Sequence, residues 1–289
     1  MPASLAPPGQ GKGMKAKTIV ITGASSGIGR AAADACLAAG YRVIATARAP
    51  GDLDRLAAIG AVPVPLELTS SQSIAQAAAL VRGASGGVVD VLFNNAGYGL
   101  QVALEDATPE ALRRQLETNV IGPITLTNAL LDTLRPGAKL VFNSSVLGVC
   151  VVPFRGPYCM SKFAVEAASD AYRLELASRG IGVHVIQPGP IEAQFRPNAL
   201  RALEECLGDR TPRLDYGNHL ERLRAVASTE GSVPAAAVAQ VFLDIVEGRR
   251  ARPRYLVTRL ARMAAYAKRA LGSGFDRLAR ASEPVVERR

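Results

Sequence analysis

The run Thr18-Ile19-Val20-Ile21, continued by Thr22-Gly23-Ala24-Ser25-Ser26-Gly27-Ile28-Gly29 and an alanine-rich stretch to Ala39, decides how this chain folds. β-Branched residues in succession read as a strand buried on both faces. The glycines permit a sharp turn, and the alanines that follow favour a helix. A strand that turns through glycine straight into a helix is the opening unit of a parallel α/β sheet. The same alternation continues outward. Strands are expected over 42–47, 62–66, 88–93, 139–143 and 183–186, and helices over 27–39, 70–81, 109–134 and 158–178. Right-handed crossovers between such strands give a single doubly wound α/β domain, a parallel sheet with helices on both faces. The stretch 194–217 reads as irregular, and a last strand falls near 254–257.

Composition narrows the field. The chain has 289 residues, 48% hydrophobic and 20% charged, which excludes a disordered or collagenous protein. No apolar run approaches the ~20 residues of a membrane span. Residues 1–16, rich in Pro and Gly, lack the apolar core of a signal peptide, so they are expected to be disordered or to precede a start at Met14, and the expected location is cytoplasmic. The four cysteines, Cys36, Cys150, Cys159 and Cys206, form no CxxC pair and have only two histidines beside them; neither zinc nor a disulfide framework is expected. The net charge of +9 is local. Arg249 to Arg289 holds 12 Lys or Arg against 3 Asp or Glu, and the remaining body holds 22 of each.

The glycine turn carries the first chemistry. Gly23, Ser25, Ser26, Gly27, Ile28 and Gly29 let backbone approach a pyrophosphate, with the amides and positive dipole end of the next helix facing it. The second strand ends at Ala47-Arg48 without the Asp or Glu that holds ribose hydroxyls in NAD enzymes. Arg48 attracts a 2′-phosphate instead, so NADP(H) is expected over NAD(H). Tyr158 and Lys162 stand four apart on a helix and share a face. The ammonium, with an oxidised nicotinamide, should pull the phenol down from its usual ~10 and make Tyr158 a general acid and base. Ser145, at a strand end, can hydrogen-bond the oxygen on which charge develops.

Asn94-Asn95-Ala96-Gly97, Asn119, Ser144-Ser145, Tyr158-xxx-Lys162 and Pro188-Gly189 follow the glycine turn in the order and spacing of the short-chain dehydrogenase/reductase family, which the chain resembles over about 17–257. The resemblance implies a Rossmann-type domain with Asn119, Ser145, Tyr158 and Lys162 as catalytic residues. It implies that Asn119 interrupts its helix and holds a water connecting Lys162 to solvent. Asn94, Ala96, Gly97, Pro188, Gly189 and Ile191 would join the cofactor site, with Glu67-Leu68 in place of the family's Asp-Val beside the adenine. Ala193 stands where the family often has Thr. A homodimer or homotetramer is usual in the family. The stretch from Pro153-Phe154 to Pro190 is most similar to the 17β-hydroxysteroid and retinol dehydrogenase branch.

Leu147, Val149, Val151, Val152, Phe154, Tyr98 and Leu100 flank the site, and a cleft so lined suits a hydrophobic ketone, aldehyde or alcohol. The substrate-cleft segment is expected over about 190–230. An oxoacyl-thioester reductase is the alternative among enzymes. A catalytically idle redox sensor acting through protein contacts is the alternative outside them, opposed by the complete catalytic set. His184 and His219 read as structural. The tail 258–289 has an amphipathic basic helix over 255–271, expected to dock beside the cleft, with membrane-surface contact as the alternative. With a neutral body, no specific nucleic-acid binding is expected.

Overall fold

The computed structural model describes residues 15–192, 195–224 and 232–287. Along the first half run β1 (Lys15–Ile21), α1 (Gly27–Ala38), β2 (Tyr41–Ala47), α2 (Pro50–Ala58), β3 (Val62–Pro65), α3 (Ser71–Ser85), β4 (Val89–Asn94), α4 (Pro109–Leu116), α5 (Gly122–Leu130) and β5 (Leu134–Asn143). Then come α6 (Gly156–Glu175), β6 (Gly182–Gln187), β7 (Ile191–Glu192), α7 (Phe195–Leu207), α8 (Gly217–Arg224), β8 (Val233–Pro234), α9 (Ala235–Val246), β9 (Arg254–Leu256), α10 (Arg259–Leu271) and α11 (Phe275–Ser282).

Seven strands form one parallel sheet in the order β3-β2-β1-β4-β5-β6-β9. Alternate residues of each strand bury on opposite faces, as the pleat requires. Ile19, Ile21 and Phe93 pack toward α1 and α9, where Phe93 stacks on Phe242 at 4.2 Å between centroids. Val20, Leu92 and Phe142 pack toward α3, α5 and α6. Strand order reverses between β1 and β4, and the crevice beyond their carboxyl ends is where such sheets take a ligand.

Four readings change. β1 begins at Lys15, inside the stretch assigned to a disordered extension, because Lys15 pairs with Tyr41; residues 1–14 lie outside the described residues. The helix expected over 109–134 is two helices separated by a π-helical turn at Glu117–Ile121, and β5 already starts at Leu134. The short helix α2 was not anticipated. In the stretch expected to be irregular, α7 forms because Ala199, Leu203 and Cys206 recur at helical spacing and bury together with Leu100, Phe154 and Tyr216.

Candidate active site

The β1–α1 turn builds a cradle. Gly23 and Gly27 hold φ of +63° and +55°, the left-handed region that glycine enters without strain. A Cβ on Gly23 would lie 2.8 Å from the Cα of Ala96, and one on Gly29 would lie 2.3 Å from the Gly23 oxygen. The first-turn amides of α1 have no intrahelical acceptor, and the Ser26 side chain does not cap them. Gly23, Ser25, Ser26, Gly27 and Ile28 line a cleft of about 1330 Å³ that runs past Arg48, Glu67, Leu68, Ala96 and Gly97 to Ser145, Tyr158, Lys162, Pro188, Gly189 and Ile191. A groove with an amide-lined, glycine-rich end fits a nicotinamide dinucleotide. Gly29 stays outside the wall and serves close helix–strand packing.

A hydrogen-bonded ladder joins the cradle to the catalytic strand end. Thr22 Oγ1 accepts from the amides of Asn95 (2.9 Å) and Ala96 (3.0 Å), and Asn95 Nδ2 donates to Thr22 O at 2.9 Å. Asn143 Nδ2 then donates to Asn95 Oδ1 at 2.9 Å. Asn94 turns the other way, donating to Thr127 Oγ1 at 2.8 Å, and Asn95 lines the cleft in its stead. A tight pair of asparagines on alternating strand faces cannot both reach one groove.

At the centre, Tyr158 is buried and hydrogen-bonded to Ser145, whose Oγ also accepts from the Leu147 amide at 3.1 Å. Burial pushes the phenol up, and the Ser145 hydrogen bond offsets this only in part. The direction expected from the neighbouring lysine is reversed in the chain itself. The Lys162 ammonium lies 5.7 Å from the tyrosine ring centroid and donates to the Asn143 carbonyl at 2.7 Å, so it faces the strand end at least as much as the phenol. Burial lowers Lys162 to about 8 against the opposing charge of Glu166. Glu166 is held by Gln187 Nε2 at 3.0 Å and Arg254 Nε at 2.9 Å.

Asn119 sits in the π turn, where the expected interruption of the helix occurs. Its amide grips the backbone of Tyr98, accepting from the nitrogen at 3.1 Å and donating to the oxygen at 2.9 Å, and it donates to Ser161 Oγ at 3.0 Å. Asn119 therefore fixes the loop after β4 against α6 and does not itself line the cleft. Ala193 lies outside the described residues. Arg48 is 71% exposed with Glu67 Oε2 3.6 Å away, a weak pair in water. Burial raises the Glu67 carboxyl, but hydrogen bonds from Thr69 and the charge of Arg48 outweigh it and hold it below its usual range.

The family model for short chain dehydrogenases matches residues 17–203. The chain belongs to the short-chain dehydrogenase/reductase family. It is 38% identical over 184 residues, 63% of its length and 68% of the relative's, to the uncharacterized oxidoreductase YbbO of Escherichia coli K12. It is 36% identical over 220 residues, 75% and 78% of the two lengths, to the 3-ketodihydrosphingosine reductase of Bacteroides thetaiotaomicron. A short-chain dehydrogenase from Streptomyces avermitilis superposes with a TM-score of 0.74 at 29% identity, covering 93% of this chain and 99% of that one. A Burkholderia cenocepacia short chain dehydrogenase solved with NADP gives 0.66 at 26% identity over 84% and 96% of the chains. This short-chain dehydrogenase/reductase is thus an oxidoreductase of CH–OH and carbonyl groups served by a nicotinamide dinucleotide.

Of the apolar residues expected around its substrate, Leu147, Val152, Tyr98 and Leu100 line the cleft; Val149, Val151 and Phe154 do not. Phe154 instead stacks on His219 (5.1 Å) and meets Tyr216 edge-on (4.9 Å). Sequence reasoning missed Phe195, whose ring lies over Gly99 and 5.4 Å from the Tyr158 ring. It also missed Glu283, 2% exposed, which accepts from Arg155 Nη1 and pairs with His219 Nδ1, each at 2.5 Å. Burial raises Glu283, and His219 and Arg155 more than reverse this. Through Glu283, and through the Val286 oxygen accepting from the Asp215 amide at 2.8 Å, the tail clasps the α7–α8 region. α10 and α11 pack Ala261, Phe275 and Ala279 against Val146 and Cys150, beside Ser145.

Proposed function

We propose that this chain is an NADP(H)-dependent enzyme interconverting a hydrophobic ketone or aldehyde and its alcohol, with Tyr158 as proton donor and acceptor. The observation that carries the reading is the placement of Tyr158 and Ser145 where the dinucleotide cradle meets an apolar arm lined by Leu147, Val152, Phe195 and Leu260. When bound, the nicotinamide supplies or accepts hydride. Ser145 donates to the substrate oxygen and holds it against the phenol. Tyr158, kept protonated by burial, delivers its proton to that oxygen in the reductive direction and takes it back in the oxidative one. Lys162, tied to Asn143, keeps a positive charge behind the phenol that favours the phenolate left after proton transfer. Asn119 holds Tyr98 and Ser161, and so the walls on either side.

Arg48, on the cleft wall and held only by a solvent-exposed pair with Glu67 that a 2′-phosphate can outcompete, supports NADP(H) over NAD(H). The name of the Bacteroides relative supports a long-chain ketone among the substrates. Residues 17–257 form the catalytic domain in this reading, and 258–289 a basic tail that roofs it. The test is oxidation of NADPH and of NADH by the purified chain with long-chain ketones, aldehydes and quinones. Turnover is expected with NADPH and an aliphatic ketone. No turnover with any carbonyl, or equal affinity for the two dinucleotides in titrations, would reject the reaction or the cofactor preference respectively.

A further inference from the structure

We infer that the outward face of α10 and α11 is a docking surface for an anionic lipid bilayer, which places the mouth of the cleft at the membrane interface. α10 meets the domain through small residues. Ala261 is buried and Ala264 and Ala267 pack beside it, while Met263 (68% exposed), Tyr266 (66%), Leu260 and Leu271 face solvent. A helix docked only on its own domain arranges these sizes the other way round. Arg259, Arg262 and Arg269 share the outward arc, and Arg277 and Arg280 extend it along α11. Asp276 is the one acidic residue between Arg259 and Ser282, and Lys268 lies 3.7 Å from it.

Exposed large apolar side chains interleaved with arginines match a bilayer interface, where the apolar groups enter the acyl boundary and guanidinium groups meet phosphates. A second copy of the chain fits worse, because a two-fold contact sets the same arginines against each other. Nucleic acid leaves the apolar groups wet. Leu260 and Leu278 belong both to the exposed face and to the cleft lining. These two leucines link the outer face of the tail to the cleft lining, a short route for a lipid carbonyl compound between bilayer and site. This last step rests on the proposed lipophilic substrate; the docking itself does not.

The experiment is sedimentation of the full chain with phosphatidylcholine vesicles and with vesicles that also contain phosphatidylglycerol, without cofactor or substrate. Binding is expected to the anionic vesicles, weakening with salt. The double variant Met263→Glu/Tyr266→Glu, altered only at exposed positions, should lose about tenfold or more of that binding. Arg262→Gln/Arg269→Gln should lose roughly 25-fold at low salt, each cation near such a surface being worth about fivefold. Turnover of a water-soluble ketone without vesicles should stay at the parent level in both variants, which separates failure of docking from failure of the reaction. Parent chain that remains in the supernatant with anionic vesicles would overturn the inference, as would undiminished binding by Met263→Glu/Tyr266→Glu. A self-associated form split by that variant, with no vesicle binding, would make the face a contact between copies and overturn it equally.

Discussion

At Tyr158 the decisive quantity is how tightly the phenol holds its proton. Burial raises that affinity, so the chain presents an acid across neutral pH. Tyr158→Phe keeps the ring against Phe195 and removes only the proton; kcat should fall by about 10²- to 10⁴-fold with cofactor affinity unchanged in titrations. Lys162 adds a pH signature. Its ammonium loses its proton near 8, so carbonyl reduction should decline as pH rises past about 8, and Lys162→Arg should carry the plateau higher. The sign for stability is opposite. A lysine whose folded pKa lies below its unfolded one burdens the fold while charged, and that burden lifts between about 8 and 10.5, so this group's contribution rises with pH across the window. The four-residue spacing of Tyr158 and Lys162 and the cation at Arg48 could be read from the sequence because each is a local fact. The direction of the phenol's shift could not, since it depends on burial under distant segments such as the one that brings the Phe195 ring, against which the Ser145 hydrogen bond works only in part. Glu67 beside Arg48 was hidden for the same reason.

Among the elements, the strands were the most legible, because consecutive β-branched and apolar residues leave few alternatives. The π turn at Glu117–Ile121 has no compositional mark: periodicity alone gave a continuous helix from 109, and only the family resemblance implied an interruption at Asn119. That turn carries Asn119, whose amide makes the bonds to Tyr98 and Ser161. Asn119→Ala should cost about 1–3 kcal/mol in chemical denaturation by leaving these partners unsatisfied, and should lower kcat. The clasp at Glu283 joins residues 64 and 128 positions apart, beyond the reach of any local pattern. Glu283→Ala strands Arg155 and His219 and should destabilise the chain by about 3 kcal/mol, raising KM more than it lowers kcat. The carboxyl is held below its usual range, so the clasp contributes in full above the unfolded value near 4.5 and is lost as pH falls through the lower folded value. Tail fluorescence or exchange in acid should show release before the sheet melts.

For the molecule as a whole, charge and shape separate. The body is balanced and the tail basic, so binding to duplex DNA should be weak and collapse with salt, as counterion release dictates; a filter-binding titration across salt checks this. Met160, Phe163 and Leu174 are exposed apolar side chains on α6, and the homodimer or homotetramer expected from the family resemblance is proposed to form across them. Phe163→Glu should shift the elution of the chain toward the monomer. The doubly wound architecture was legible because strand, glycine turn and helix recur along the chain, and α10 because its apolar positions recur over 255–271; α7 was not, since 194–217 gave too faint a period.

The two large clusters on either face of the sheet and the two small ones under α7, α8, α10 and α11 are separate bodies of apolar contact. Opening free energy scales with the contact that must be broken. The roof is therefore expected to open alone, while the sheet and the cradle stay closed. In deuterium exchange, amides of α7, α8, α10 and α11 should exchange by local opening and those of β1, β4 and β5 only by global unfolding. For the apolar product proposed above, release through the same local opening predicts that substitutions loosening this roof change kcat, which comparison of exchange rates with turnover checks.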